Sequence, residues 1–524
     1  MKRTLSLLIV LLLVVSCIAC KKNESTPAPT TIEQKPSITE APAELSTTTV
    51  ETAAAEKYQE HITIALDTAI TTIDPQIFNS RVCNIFFYLT HDRLIRYDSA
   101  SGTYQPELAE SWEWVTPTEL DLKLREGVKF HDGSAFTSAD VAFMLDRATN
   151  ATVTDYYDHS EIVDDYNIKV FCKNPNVDFI ATLAHNVAAM TSKEACTKNP
   201  ETGAYIGTGT WIIKEVISGD RIELVANEDY WGGAPKTKTM TVRFITEASA
   251  RLIALQNKEV DIILKVSNSE IPYAQEDPNI VVAAYPSSEL VYMSINTSKA
   301  PGNDLNMRMA LAYAINRDEI IAAIGDSAAA PATSFFNWSG YGYFDAFEKD
   351  ISYNPEKAKE YVAKLPDPTI TVNVSTAQNK LMAQVIQSQC KAVGLNVIIN
   401  EMDASGLNAS CKWDTGDHES LITSISFNPH GGDIARVTSY GSDSNKSHVD
   451  DKRLQELLTL SVGTTDDAQR KAYYREIQEL IHDNVYWIPL VYVSGNLAYV
   501  KDLGGIVIEP NNSHDLSYAC IPLK

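Results

Sequence analysis

Pro106–Arg147, PELAESWEWVTPTELDLKLREGVKFHDGSAFTSADVAFMLDR, is the stretch from which the fold is read. Leu120, Leu122 and Leu124 alternate with Asp121, Lys123 and Arg125, the period of a strand with one apolar face, and a second half-buried strand precedes it. His131-Asp132-Gly133 marks a turn, where glycine reaches backbone conformations that other residues resist. Thr137 then stands before Ala139, Asp140, Val141, Phe143 and Met144. That spacing predicts a helix whose free N–H groups the hydroxyl caps and whose dipole Asp140 complements.

The wording LAESWE, LREGVKFHDG and FTSADVAFMLDR closely resembles the signature of the peptide and nickel family, family 5, of bacterial ABC-importer substrate-binding proteins. Three further regions resemble that family in the same order. They are Gly207–Trp231 (with Thr210-Trp211 where Pro-Tyr is usual), Tyr292–Ile320, and the segments Tyr353–Leu365, Ala383–Val397 and Tyr473–Leu490. Together they cover most of residues 60–520. The resemblance implies an α/β, two-lobed periplasmic-binding-protein-like fold of type II, with an extra subdomain inserted in the first lobe and a ligand cleft between the lobes. It implies a first lobe over 58–288 with the insert at about 95–190, a second lobe over 289–488, and a return to the first lobe over 489–524.

Met1–Cys20 has a basic start, Lys2 and Arg3, and an apolar run from Leu5 to Val15 that is too short for a permanent membrane span. It reads as a secretory signal. Val14-Val15-Ser16-Cys17 has the small residues before Cys of a lipoprotein box, and Ile18-Ala19-Cys20 offers a second candidate, so Cys17 or Cys20 is expected to carry a lipid anchor. Residues 21–57 are rich in Thr, Pro, Ala and Glu and nearly free of aromatics, the composition of a disordered tether. The balance of 68 Asp+Glu against 44 Lys+Arg argues against nucleic acid as a partner. Among the cysteines beyond the signal there is no CxxC pair and no zinc-like spacing, and buried thiols are the expected state of most.

From the pattern, His61–Ile73 reads as a strand, Arg81–Leu94 as an amphipathic helix, and a change of lobe falls near Tyr285–Glu289, before a strand Leu290–Ile295. A helix Met309–Ile315, a helix capped by Asn354 with Pro355 at its first position, a βαβ unit over Thr369–Ile399 with its helix at Leu381–Ala392, a long helix Ala468–Asp483 and a return strand Trp487–Tyr492 follow.

There is no GxSxG elbow, no zinc-hydrolase histidine pair and no Walker motif, so neither an enzyme nor a cofactor is expected. His131-Asp132 reads as a structural turn, and the acidic clusters around His159 and His418 lack a metal-site pattern. Ile425–Arg436, ISFNPHGGDIAR, places a Gly-Gly loop after a strand, where α/β lobes bind ligands. Peptide-binding members carry W-x-x-D-x-x-D-P here. Phe427 matches the aromatic and Asp433 the second acid, while His430 stands where the amine-binding acid is usual, which puts free-amino recognition on Asp433 or another acid. Phe78, Asn79, Tyr156, Tyr157, His185, Asn186, Trp338, Tyr341 and Asn428 complete the expected cleft lining, aromatics giving contact area and polar groups orientation.

The expected partners are a short peptide or peptide-like small polar solute, an ABC permease with its ATPase, and the membrane through the lipid anchor. The chain is expected to act as a monomer on the outer face of the cell membrane or in the periplasm. The alternative ligand is a nickel or other metal chelate that engages His430, and the alternative role is presentation of a ligand to a membrane sensor.

Overall fold

Two long antiparallel strands, Ile280–Ile295 and Trp487–Val500, carry the architecture. The computed structural model describes residues 56–70, 72–77, 81–99, 101–325, 329–334, 352–426, 433–510 and 514–523. Among them a mixed sheet of eleven strands is centred on this pair. To one side lie Ile262–Ile263, His61–Leu66, Thr239–Phe244, Arg221–Ala226 and Trp211–Ile217; to the other lie Ser420–Ser426, Thr369–Val374 and Asn396–Glu401. The central pairing slips where Pro286 opposite Ser494 gives way to Leu290 opposite Tyr492. This bulge, at Ser287-Ser288-Glu289, divides the sheet into two halves.

Each half has its own core. Ile62, Ile64, Trp211, Leu224, Met240 and Leu497 are buried on the first side, and Met293, Leu311, Val372, Ile386, Ile422 and Ile488 on the second. The stretch Pro106–Arg147 opens a separate four-stranded antiparallel sheet, ordered Ala109–Thr116, Glu119–Leu124, Asn167–Cys172, Tyr157–Asp164. Leu120, Leu122 and Leu124 all face its core, and Val141, Met144 and Leu145 of the helix Ser138–Arg147 cover it. The Thr137 amide and hydroxyl both donate to the Asp140 carboxylate at the helix start. Asn354 caps Pro355–Val362, with its side chain accepting from the Lys357 amide.

Several expected boundaries move. The first strand stops at Leu66, level with Phe244, where its parallel partner also ends. The helix Arg81–Thr90 ends before Leu94, whose carbonyl is claimed by the Ala109 amide of the insert. The helix at Leu305–Ala314 starts earlier than Met309 because Asp304 accepts from the Asn306 amide. Likewise Thr376 caps Ala377–Ala392 a turn before Leu381. Both central strands run past their expected ends, since Ser287-Ser288-Glu289 is polar but stays extended.

Cys172, Cys196, Cys390, Cys411 and Cys520 are buried free thiols. No helix among the described residues is long and apolar enough to cross a membrane.

Candidate functional site

Strand direction locates the cleft. His61–Leu66 is parallel to Ile262–Ile263, which pairs antiparallel with Ala498 and Tyr499 of the return strand. Its carboxyl end therefore points toward Ser494 and the bulge. In the other half Ser420 pairs with Ile295 and Ser426 with Glu289, so this strand also ends at the bulge. Thr369–Val374 runs parallel to it. In both halves the carboxyl ends of parallel strands converge on the crossing, the place where open α/β sheets bind ligands. The strand Ser420–Ser426 ends there, and so does the first strand, at Leu66.

The crossing itself is polar. The Ser287 hydroxyl donates to the Val493 carbonyl at 2.6 Å, and the Ser288 amide donates to the Pro510 carbonyl at 2.8 Å. These serines were missing from the sequence reading of the site, because only the strand register places them at the junction.

The loop after the first strand is pinned to the insert. Arg147, the last residue of the insert's helix, pairs with Asp74 and donates to the Gln76 side-chain oxygen, which also accepts from Thr191. The Gln76 side-chain nitrogen donates to the Ala189 carbonyl at 2.6 Å. Gln76 is fully buried. A buried polar group that makes this many bonds holds the loop in one position.

At the root of the insert Arg93 donates twice to Glu107, at 3.1 and 2.8 Å, and once to the Asn186 side-chain oxygen at 3.2 Å. Its guanidinium also stacks over the Tyr88 ring. Burial pushes the Glu107 carboxyl up to about 7, against the pull of Arg93. Beside it, Asp92 accepts from the Tyr230 hydroxyl and the Trp231 indole at 2.9 and 2.8 Å, which explains the tyrosine-tryptophan pair that closes Gly207–Trp231.

The site residues read from the sequence fare unequally. Tyr156 is 40% exposed, whereas Tyr157 is buried with its hydroxyl donating to Asp146 at 2.7 Å. Asn186 is buried, and its amide nitrogen donates to the Asn84 carbonyl at 3.0 Å, so both ends of its side chain serve the insert root. His185 is half-buried and its ring accepts from the Val187 amide. The helices Ala151–Thr154 and Phe179–Leu183 pack together, bringing the segments that lead to Tyr156 and to His185 alongside each other. Asp433 opens the helix Asp433–Thr438. Phe78, Asn79, Trp338, Tyr341, Phe427, Asn428, His430, Cys17 and Cys20 lie outside the described residues.

The tempting histidines are structural. His131 Nε2 donates to the Gly209 carbonyl at 3.0 Å, and both ring nitrogens of His418 face backbone carbonyls, of Ser410 and Lys446. Among the described residues no group of three or more His, Cys, Asp or Glu is arranged to hold a metal ion.

Two α/β halves that share a pair of crossing strands, with strand ends converging at the junction, define a two-lobed solute-binding fold. The chain belongs to the bacterial extracellular solute-binding proteins, family 5, whose "Middle" model matches residues 103–447. Such proteins bind and do not catalyse. The chain is similar to di/tripeptide-binding protein 2 of Pseudomonas aeruginosa, with 25% identity over 82% of this chain and 88% of the relative. It is also similar to the glutathione-binding protein GsiB of Escherichia coli K12, with 29% identity over 86% of this chain and 92% of the relative. Among solved structures, the ABC transporter substrate-binding protein CtaP of Listeria monocytogenes superposes with a TM-score of 0.81 at 23% identity, covering 89% of this chain and all of the other.

Proposed function

We propose that the protein captures short peptides or peptide-like solutes between its lobes outside the cytoplasm and delivers them to the membrane permease of an ABC importer. The observation that carries this reading is the family match over residues 103–447, and the di/tripeptide and glutathione relatives support the ligand class. Binding shifts an equilibrium between open and closed lobes, and the partner ATPase supplies the energy. Lobe boundaries near 58–288, 289–488 and 489–524, with the insert at about 95–190, fit the bulge at Ser287-Ser288-Glu289. In this reading Cys17 or Cys20 carries a lipid, and residues 21–57 tether a monomer to the outer face of the membrane.

Within the cleft, Phe427, Asn428 and His430 contact the ligand from the loop after Ser426, and Asp433 receives the peptide's ammonium. Phe78 and Asn79 contribute from the loop that Arg147 pins, Trp338 and Tyr341 from the second lobe, and Tyr156 and His185 from the insert. Tyr157 and Asn186 act behind them, as supports of the insert.

A thermal-shift panel on the purified protein tests the reading. Free di- to pentapeptides at a hundredfold excess over their dissociation constant are expected to stabilise by about 2.7 kcal/mol, and N-acetylated versions are not. Asp433→Asn is expected to remove the difference. Stabilisation by nickel with free histidine alone, or by no member of the panel, would overturn the peptide assignment.

A further inference from the structure

The insert is fastened to the first lobe by buried polar links: Arg93 with Glu107 and Asn186, and Gln76 with Ala189. It must therefore move with that lobe. Yet it also meets the second lobe, away from the crossing strands. The Val177 amide donates to the Val462 carbonyl at 2.9 Å. Asp178 forms an ion pair with Arg470, the two side chains only 12% and 15% exposed. Arg470 Nε also donates to the Ser461 carbonyl at 3.2 Å. On the insert's side the loop is held to its own sheet by the Asn176 amide donating to the Pro117 carbonyl, and the Asp178 amide bonds the Asn176 side chain.

Arg470 lies in the first turn of the helix Asp467–Asn484, which leads directly into the return strand at Trp487. Trp487 pairs with Ser294, well along the strand from the bulge, so the contact is carried by the body of the second lobe and not by the connecting strands. A backbone hydrogen bond of 2.9 Å and an ion pair between two bodies that move separately part once those bodies turn about the crossing.

We infer that Val177–Asp178 and Val462–Arg470 form a latch between the insert and the second lobe, which must break for the lobes to separate and which biases the protein toward the closed arrangement. A largely buried charge pair suits this role, because removing one partner leaves the other poorly solvated in the closed state only. Tyr104 from the insert and Tyr474 from the second lobe lie in the field of the same pair, and burial followed by Asp178 raises both phenols. The latch follows from the two-lobed fold and needs no particular solute, so it stands or falls separately from the peptide assignment.

Native-state hydrogen exchange on the ligand-free protein reads the latch through the Val177 amide. In Arg470→Gln and in Asp178→Asn, Val177 is expected to exchange about tenfold faster or more, while Met293 in the crossing strand keeps its rate. Equal Val177 rates in the wild type and both variants would overturn the proposal. A second measurement leaves the charges in place. A Cβ on Gly463 would sit 3.8 Å from that of Pro175, a spacing that suits a disulfide. P175C/G463C is expected to cross-link under mild oxidation, detected by peptide mapping, and adding R470Q is expected to slow cross-linking several-fold. Failure to cross-link, or a rate that R470Q leaves unchanged, counts against the latch.

Discussion

Replacing Arg93 with methionine is expected to destabilise the protein by about 3–5 kcal/mol at pH 8. The guanidinium and the Glu107 carboxylate are 4% and 9% exposed and joined by two hydrogen bonds. Without Arg93 the carboxylate has neither water nor a counter-charge, and the Asn186 oxygen loses its donor. The pH matters, since burial raises Glu107 to about 7 and the carboxyl is ionised above that value. Urea unfolding followed by fluorescence of the insert's Trp112 and Trp114 measures the loss. The double variant R93M/E107L removes both charges and is expected to recover most of it. A loss below about 1 kcal/mol, or a double variant no better than the single, would show that the pair is not what joins the insert to the lobe.

Acidification from pH 7 to 5 is expected to remove about 4 kcal/mol through His91 and His514 alone, about 2 kcal/mol per ring. Burial lowers the His91 imidazole to about 3 and that of His514 to about 4. Their surroundings fit the neutral ring. His514 Nδ1 accepts from the Glu509 amide, so a proton there would break that bond. His91 Nε2 donates to the Ala204 carbonyl at 3.0 Å while Nδ1 faces the Thr90 hydroxyl. The folded state thus binds fewer protons than the unfolded one below about 6.5. Stability from these rings is whole above that value and falls steadily as the pH drops toward about 4. His131, lowered by burial, works in the same direction. Burial lowers His418 as well, but two carbonyls flank its ring and a proton on each nitrogen satisfies both, so its loss on acidification is smaller. Glu107 works the other way, its raised carboxyl binding a proton in the fold before the unfolded chain does. Because Glu107 offsets part of this slope, the test is a comparison: urea unfolding at pH 7, 6 and 5 of the wild type and of His514→Gln, which keeps an acceptor without a titrating ring. The variant is expected to lose about 2 kcal/mol less than the wild type between pH 7 and 5, and equal losses would defeat the prediction.

The family signature was legible because its parts are local. Leu120, Leu122 and Leu124, the cap at Thr137 and the turn at Gly133 each satisfy rules that act over a few residues, and all appear where the pattern places them. The same holds for the cap at Asn354. Boundaries were less legible where a distant partner sets them, as when the insert claims the Leu94 carbonyl. Within the candidate site, Asn186 and Tyr157 show the difficulty. A polar or aromatic residue near an expected cleft looks the same in sequence whether it faces solute or, as here, a buried arginine or aspartate.

From the sequence alone came the α/β class, the order of the elements, the insert and the family, because periodicity, caps and a long motif are properties of contiguous residues. The tertiary structure alone decided that Ser287-Ser288-Glu289 is a bulge in a continuous strand and that strand ends from both halves meet beside it. It also decided that Asp178 meets Arg470 nearly three hundred residues away. Register and long-range ion pairs depend on which surfaces pack together, and no local pattern encodes that.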